Sequence, residues 1–266
     1  HDGCFIEKYL GVKPDLCPDQ GLSPSADEMT PLPEPDPTSA VYIGRVEPDS
    51  GIRIYLDAVR RLTTEQGRDF RLHVYGDGSL MPELRDLVAR ESLPVIFHGW
   101  VLDAQRHITD SCFAFIDGRM AIQEAMARRR LVLAAYVNPL KHDYVAGEAF
   151  GPYLVPVATG AELAERVAHF IDHPHERAAL VEKAYEHART LTWSRAAETY
   201  VSFWQERLAC PAPQLSWTAR LKLAWHLERE AHRGLDPGHR SFWHRLGDSE
   251  RASELGLPPR ALSETV

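Results

Sequence analysis

The stretch CFAFIDGRMAIQEAMARRRLVLAAYVNP, residues 112–139, decides the fold. It opens on the apolar run Cys112–Ile116, breaks at Asp117-Gly118, continues from Arg119 as a helix-length segment, and closes on a second apolar run, Leu131–Ala135. Two strands that are apolar nearly throughout, joined by such a segment, predict a β-α-β unit in a parallel sheet covered on both faces. The polar break is as informative as the pattern. An acid and a glycine between strand and helix stand at the junction where α/β proteins hold phosphorylated ligands on free backbone amides.

The alternation extends in both directions. Upstream lie AVYIGR (40–45), then GIRIYLDAVRRLTTEQ (51–66) with Ile54, Leu56, Val59 and Leu62 at helical spacing, then FRLHVYGDG (70–78), MPELRDLVARE (81–91), PVIFHGWV (94–101) and a short AQRHITDS segment (104–111). Downstream, three helical patterns follow: AELAERVAHFIDH (161–173), HERAALVEKAYEHARTL (175–191) and SRAAETYVSFWQERL (194–208). Together they predict a Rossmann-like α/β domain over residues 40–210, with helices on both faces of a parallel sheet. Residues 1–39 read as a linker or the remnant of a preceding domain, the linker because prolines repeat from Pro14 to Pro37 and bar helix interiors and central strands. Residues 211–266 read as a helical C-terminal extension, with PAP at its start, LSWTARLKLAWHLEREAH in the middle and LDPG as a break, docked by tryptophans.

The bulk numbers bound the function. A net charge of -8 over 266 residues, with a pI near 5.9, excludes nucleic-acid binding through a broad basic footprint and leaves a local basic pocket open. Four cysteines without a CxxC pair suggest neither a zinc ribbon nor a disulfide scaffold, and fit a reducing cytoplasm. No apolar run is long enough to span a bilayer, and the missing initiator methionine suggests a fragment of a longer protein. The tail histidines His226, His232, His239 and His244 form no HxxxH or HExxH pair, and neither Asp-x-Asp nor GxSxG occurs. No metal and no cofactor are expected.

Ligands of open parallel sheets sit beyond the carboxyl ends of the strands, so the residues that follow each strand are the candidates. They are Gly44-Arg45, Gly76-Asp77-Gly78, Gly99-Trp100-Val101 and Asp117-Gly118-Arg119. The glycines would let backbone approach a ligand, and Arg45 and Arg119 could supply forked, permanently charged groups to a diphosphate. Turn glycines and solvated arginines are the plainer alternatives. With a rise of roughly 1.5 Å per residue, Asp117 and Glu124 stand roughly 10 Å apart, a spacing that suits two acids gripping different hydroxyl-bearing parts of one elongated ligand. A helix N-cap at Asp117 and an ordinary helix acid at Glu124 are the competing readings.

From Ala40 to Leu208 the order of VYIGRVEPDSGIRIYLDAV, LHVYGDGSLMPELRDLV, VIFHGWV, DGRMAIQEAMA and TWSRAAETYVSFW resembles the C-terminal, donor-binding domain of retaining GT-B glycosyltransferases of family 4. The resemblance implies that Glu124 binds the ribose hydroxyls of a nucleotide-sugar, that Asp117 contacts the transferred sugar, and that Arg45 meets the diphosphate. Gly44, Gly76, Gly78, Val101, Gly118, Arg119 and Met120 would line the donor beside them. The segment AAYVNPLKHDYV resembles a subset with an asparagine-proline-leucine-lysine turn after the strand, which adds Asn138 and Lys141 to the lining; a capped turn and a solvated lysine are the alternatives. The implied activity is glycosyl transfer from the nucleotide-sugar to a hydroxyl of a sugar, lipid or other acceptor with retention of configuration, in concert with an N-terminal domain carried by a separate partner chain or by missing sequence. A degenerate, non-catalytic nucleotide-sugar-binding or interaction module and a nucleotide-sugar epimerase are the rival readings.

Four departures from the family pattern stand out. The first acid is Asp rather than Glu, and one residue fewer separates it from the second. Ser50 occupies the place of the lysine that follows the Gly-Arg pair, with Arg53 as the nearest substitute; Arg129 and Leu131 occupy the places of Gly and Pro after EAMA. A lost charged phosphate contact costs about 1.5–3 kcal/mol, so weaker donor binding is expected.

Overall fold

The computed structural model describes residues 20–22, 32–209, 217, 218 and 225. The chain divides into two compact units, His1–Glu206 and Arg207–Val266. The first holds six parallel strands: β1 (Asp36–Ile43), β2 (Arg71–Tyr75), β3 (Val95–Gly99), β4 (Ser111–Phe115), β5 (Leu131–Ala135) and β6 (Val155–Val157), in the order β3-β2-β1-β4-β5-β6. Between and after them come α1 (Ile52–Arg60), which ends in a π-helical turn Arg61–Glu65, then α2 (Met81–Glu91), α3 (Arg119–Ala127), α4 (Pro139–Ala146), α5 (Gly160–Asp172), α6 (Pro174–Ala188) and α7 (Trp193–Ala209). Two short 3-10 turns, Ala104–Asp110 and Gly151–Tyr153, complete the set. Of the expected C-terminal extension, only Trp217, Thr218 and Trp225 lie within the described residues, and all three are helical.

Alternate side chains of each strand feed two separate cores, as burial of both sheet faces requires. Ala40, Tyr42, Leu72, Val74, Phe113, Phe115, Leu131 and Leu133 point to one core, closed by Leu56, Val59, Leu84, Leu163 and Val167 of α1, α2 and α5. Val41, Ala114, Ile116, Val132 and Ala134 point to the other, closed by Ile122 and Met126 of α3 and by Ala184 and Tyr185 of α6. Helix α5 starts at a near capping box. The Thr159 hydroxyl accepts from Glu162 N at 3.1 Å, and the Glu162 carboxylate accepts from Ala158 N at 2.9 Å.

Three features depart from the sequence reading. Strand β1 starts at Asp36, inside the proline-rich stretch read as linker, because the Asp36 carboxylate accepts from both the amide and the hydroxyl of Thr38 and Ser39 bonds Ser111 of β4 at 2.9 Å. Strand β6 was not expected. Three residues with a central proline give no periodic signal, yet Pro156 is tolerated on an edge strand beside Ala134. The arginine run after EAMA, whose positive charge suits the C-terminal end of a helix, also does more than close it. Arg128 and Arg130 are buried; Arg130 donates to Pro33 O and Thr109 O, tying three chain segments together.

The β3–β4 connection is only a 3-10 turn, so the outer face of β2 and β3 carries polar rings where a helix would bring apolar cover. Tyr75 lies flat between His98 and His107, with ring centroids at 4.2 and 4.5 Å. His73 and His98 stand 3.1 Å apart between ring nitrogens, with centroids 5.4 Å apart and planes 16° from parallel, which describes two imidazoles edge to edge in nearly one plane. They line a cavity of about 170 Å³ with Asp36, Arg71 and Asp110. Burial holds both His73 and His98 below the usual histidine range, helped by Arg71 for His73 and by the neighbouring imidazoles for His98. A histidine with a depressed folded pKa binds fewer protons folded than unfolded, so its contribution is full above about pH 6.5 and is lost as pH falls through the folded value. Melting temperatures are therefore expected to fall between pH 7.5 and 5.5, and a His73→Gln/His98→Gln variant is expected to flatten that slope; an unchanged slope in thermal scans would contradict the assignment.

Candidate functional site

In the order β3-β2-β1-β4-β5-β6, the connection leaving β1 turns toward β2 and the connection leaving β4 turns toward β5. Helices α1 and α3 thus depart to opposite faces, and a crevice opens between the carboxyl ends of β1 and β4. Gly44 and Arg45 follow β1 on one side, and Asp117 and Gly118 follow β4 on the other. Among the described residues, four charges alternate there.

Arg45 Nη2 lies 3.0 Å from Asp49 Oδ2, and Lys141 Nζ lies 3.0 Å from Asp117 Oδ2. The Asp49 charge is felt by both Lys141 and Asp117, which joins the two pairs. Their settings differ. The Arg45–Asp49 pair is exposed, at 71% and 66% of its side-chain surface, so it is weak and an incoming anion can exchange with Asp49 at little cost. Asp117 keeps only 11% of its side-chain surface; burial pushes its carboxyl above the usual range, and Lys141 pulls it back. Behind this group the Tyr42 hydroxyl donates to Arg45 O at 2.5 Å, which fixes the turn that carries the arginine. The Tyr55 hydroxyl accepts from Ala135 N at 2.9 Å and locks α1 to the end of β5.

Asp117 is not the helix cap. Gly118 occupies that position, so the N-cap residue itself sets no side chain over the first turn of α3, the place where helix amides meet anions. Arg119, in the first turn, faces Glu148 at 3.7 Å, and Glu148 is buried. Glu124 stands apart from the alternating charges. It is half-buried in the second turn of α3; burial raises its carboxyl, Arg128 opposes that, and among the described residues no side chain hydrogen-bonds it. Met120 is exposed, and Val101 packs beside the second core after β3.

The other expected residues also have parts in the scaffold. Asn138 is the N-cap of α4, its side chain accepting from Lys141 N at 2.8 Å, while Lys141 itself is the ion-pair partner of Asp117. The freedom of Gly76 and Gly78 serves loop packing: a Cβ on Gly76 would collide with Gly44 O, and one on Gly78 with Val46 O. Gly118 differs, since a Cβ there meets nothing within 4 Å. Arg53, the nearest substitute for the missing lysine, forks onto Glu83 of α2 in an exposed pair, and Ser50 is buried with its hydroxyl on Glu47 O at 2.7 Å. Asp49, Glu148, Tyr42 and Tyr55 were missed by sequence reading. Asp49 carried the one available signal, an acid four residues after Arg45 in the turn beyond a strand.

Comparison with known proteins gives this geometry its class. The profile of the glycosyl transferases group 1 family matches residues 37–173, over half of the chain, and the protein belongs to that family, glycosyltransferase family 4. The chain is 28% identical over 156 residues to the alpha-D-kanosaminyltransferase of Streptomyces kanamyceticus, an alignment that takes in 54% of this chain and 39% of that enzyme. Among solved structures it resembles the pneumococcal O-GlcNAc transferase GtfA in complex with UDP and GlcNAc, with a TM-score of 0.56 and 14% identity over 77% of this chain and 42% of that one. It also resembles Anabaena HepE in complex with UDP-glucose, with a TM-score of 0.51 and 20% identity over 62% of this chain and 49% of that one. The fold is one half of a GT-B fold, and the chain spans less than half the length of each of these three proteins. No described helix is long and apolar enough to cross a membrane.

Two glycine substitutions separate packing from ligand access. Gly76→Ala places a side chain at a φ of 154° against Gly44 and is expected to cost about 3 kcal/mol or more in denaturant unfolding. Gly118→Ala, with φ -96° and open space, is expected to change stability by less than about 1 kcal/mol.

Proposed function

We propose that this chain is the donor-binding half of a retaining glycosyltransferase, holding a nucleotide-sugar across the crevice between β1 and β4. One observation carries the reading: two cations and two carboxylates alternate at the switch point of the sheet, next to the N-terminus of a helix whose N-cap is a glycine. The diphosphate would lie at the start of α3, displacing Asp49 from Arg45. Positive charge there stabilises the leaving diphosphate more as the sugar–phosphate bond breaks than before, which is differential stabilisation of the transition state. Asp117 would orient the sugar. Glu124, half-buried with no hydrogen-bonded side-chain partner among the described residues, would accept from the ribose hydroxyls.

The acceptor hydroxyl, from a sugar, a lipid or another alcohol, would be presented by a second domain across the crevice, in further sequence or on a partner chain. Both structural neighbours were solved with uridine nucleotides, which makes UDP-sugars the first donors to try. The Ser50 position, without a cation, favours modest donor affinity. Isothermal titration with UDP-glucose, UDP-N-acetylglucosamine, GDP-mannose and ADP-glucose is expected to give binding to at least one. Glu124→Ala should weaken it about tenfold or more, the worth of a strong hydrogen bond to a charged group. Binding to none of the four would leave the interaction-module reading in its place.

A further inference from the structure

Asp117 is a buried acid of the crevice, and groups from four elements face it. They are Lys141 from α4 at 3.0 Å, the Asp49 carboxylate from the β1–α1 loop, and the hydroxyls of Tyr42 on β1 and Tyr55 on α1. Both tyrosines are buried and keep their protons, and Asp49 repels. Lys141 is thus the countercharge among the groups that face Asp117. Its placement is built into the fold. Pro139 opens α4, and the Asn138 side chain caps the amide of Lys141 itself, so the turn that carries the ammonium is fixed at that residue. On the other flank of Gly118, the pair Arg119–Glu148 has the opposite polarity. The two residues either side of Gly118 are therefore each held by a charge from the chain between β5 and β6, in a register that a shift of that segment would put like against like.

We propose that Lys141 is the positioning residue for Asp117: its ammonium holds this buried carboxylate in the charged, acceptor-only form in which it receives hydrogen bonds from hydroxyls of the donor sugar. The sugar's part in this rests on the donor-binding reading above; the charge state rests on the ion pair alone. A neutral carboxyl at the same place would present a donor on one oxygen, and a sugar hydroxyl would have to turn round to meet it. Lys141 acts through Asp117, so it should matter for the sugar and little for the nucleoside diphosphate.

Two measurements on the full chain test this, with Lys141→Met and the charge-conserving Lys141→Arg. In the free protein, carboxyl-carbon NMR is expected to show the Asp117 titration midpoint rising by about 1–3 pH units in Lys141→Met, the size of a lost cationic neighbour, and returning in Lys141→Arg. An unmoved midpoint overturns the proposal. In calorimetry near pH 7, Lys141→Met is expected to bind UDP-glucose about tenfold more weakly and UDP as before, with the UDP-glucose loss shrinking as pH rises and Asp117 ionises. Equal losses for UDP and UDP-glucose would make Lys141 a direct phosphate contact and overturn the positioning role. Should the wild type bind neither, the donor-binding reading falls, while the NMR titration still decides whether Lys141 sets the charge of Asp117.

Discussion

The constraint on which everything else depends is the placing of β4 directly beside β1. A right-handed crossover from each strand must lay its helix on one face, and neighbouring strands whose chains run to opposite edges of the sheet must send their helices to opposite faces. The crevice between them is therefore a by-product of topology, and whatever side chains the two turns carry are brought together there. Arg45 and Asp117 are 72 positions apart in sequence and are brought to the same end of the sheet by the parallel β1–β4 pairing that aligns Val41 with Ala114. Close packing of both sheet faces makes that register rigid, since a slip of one residue would exchange the side chains of the two cores.

Charge in the crevice is graded by depth. At the exposed end, Arg45 and Asp49 form a pair that solvent screens and that costs little to open. At the buried end, Asp117 and Lys141 are committed to each other, because removing either would leave an uncompensated charge out of water. A ligand with a dianionic middle and a hydroxylated end fits this gradient. The phosphates can compete for the loosely held guanidinium, and the hydroxyls can add to a carboxylate that already has its countercharge. Tyr42 links the two ends: its ring is buried in the core while its hydroxyl holds the Arg45 carbonyl.

Much of this architecture was legible in the sequence because its signals are local. Continuous apolar runs such as Cys112–Ile116 and Leu131–Ala135, too short for helices and bounded by breaks, fit strands buried on both faces, and helical spacing picked out the segments that became α1, α2, α3, α5, α6 and α7. What escaped is what depends on non-local partners. β6 exists because β5 offers an edge, and its three residues hold no period of their own. The glycines of the GDG turn read as ligand-facing glycines, and both are also required by the backbone of the β1–α1 loop, a contact that sequence spacing does not encode. At the site, the residue types at the strand ends were readable, but their pairing was not. Nothing in the order of residues says that Lys141 would turn back to Asp117 or that Glu148 would meet Arg119.

The departures from the family pattern bear differently on fold and on ligand, and Arg129 shows why. It keeps a left-handed φ of 53° where glycine is the usual residue, a conformation that costs a non-glycine side chain of order 1 kcal/mol. That cost is offset locally: the guanidinium lies 3.6 Å from the centre of the Tyr185 ring and forks onto Glu182 at 3.2 and 3.4 Å. A cation over an aromatic face together with an ion pair is worth about as much as the strain, and both partners lie on α6, which packs against α3. Arg129 is therefore held in a conformation that glycine adopts freely, and it adds a tie between helices. Ser50 is compensated in the opposite sense, since its hydroxyl satisfies Glu47 O and stabilises the turn but brings no positive charge to the crevice. That turn thus gains a hydrogen bond and carries no cation at Ser50, and it leaves the charge balance at the switch point to Arg45 and the chain between β5 and β6.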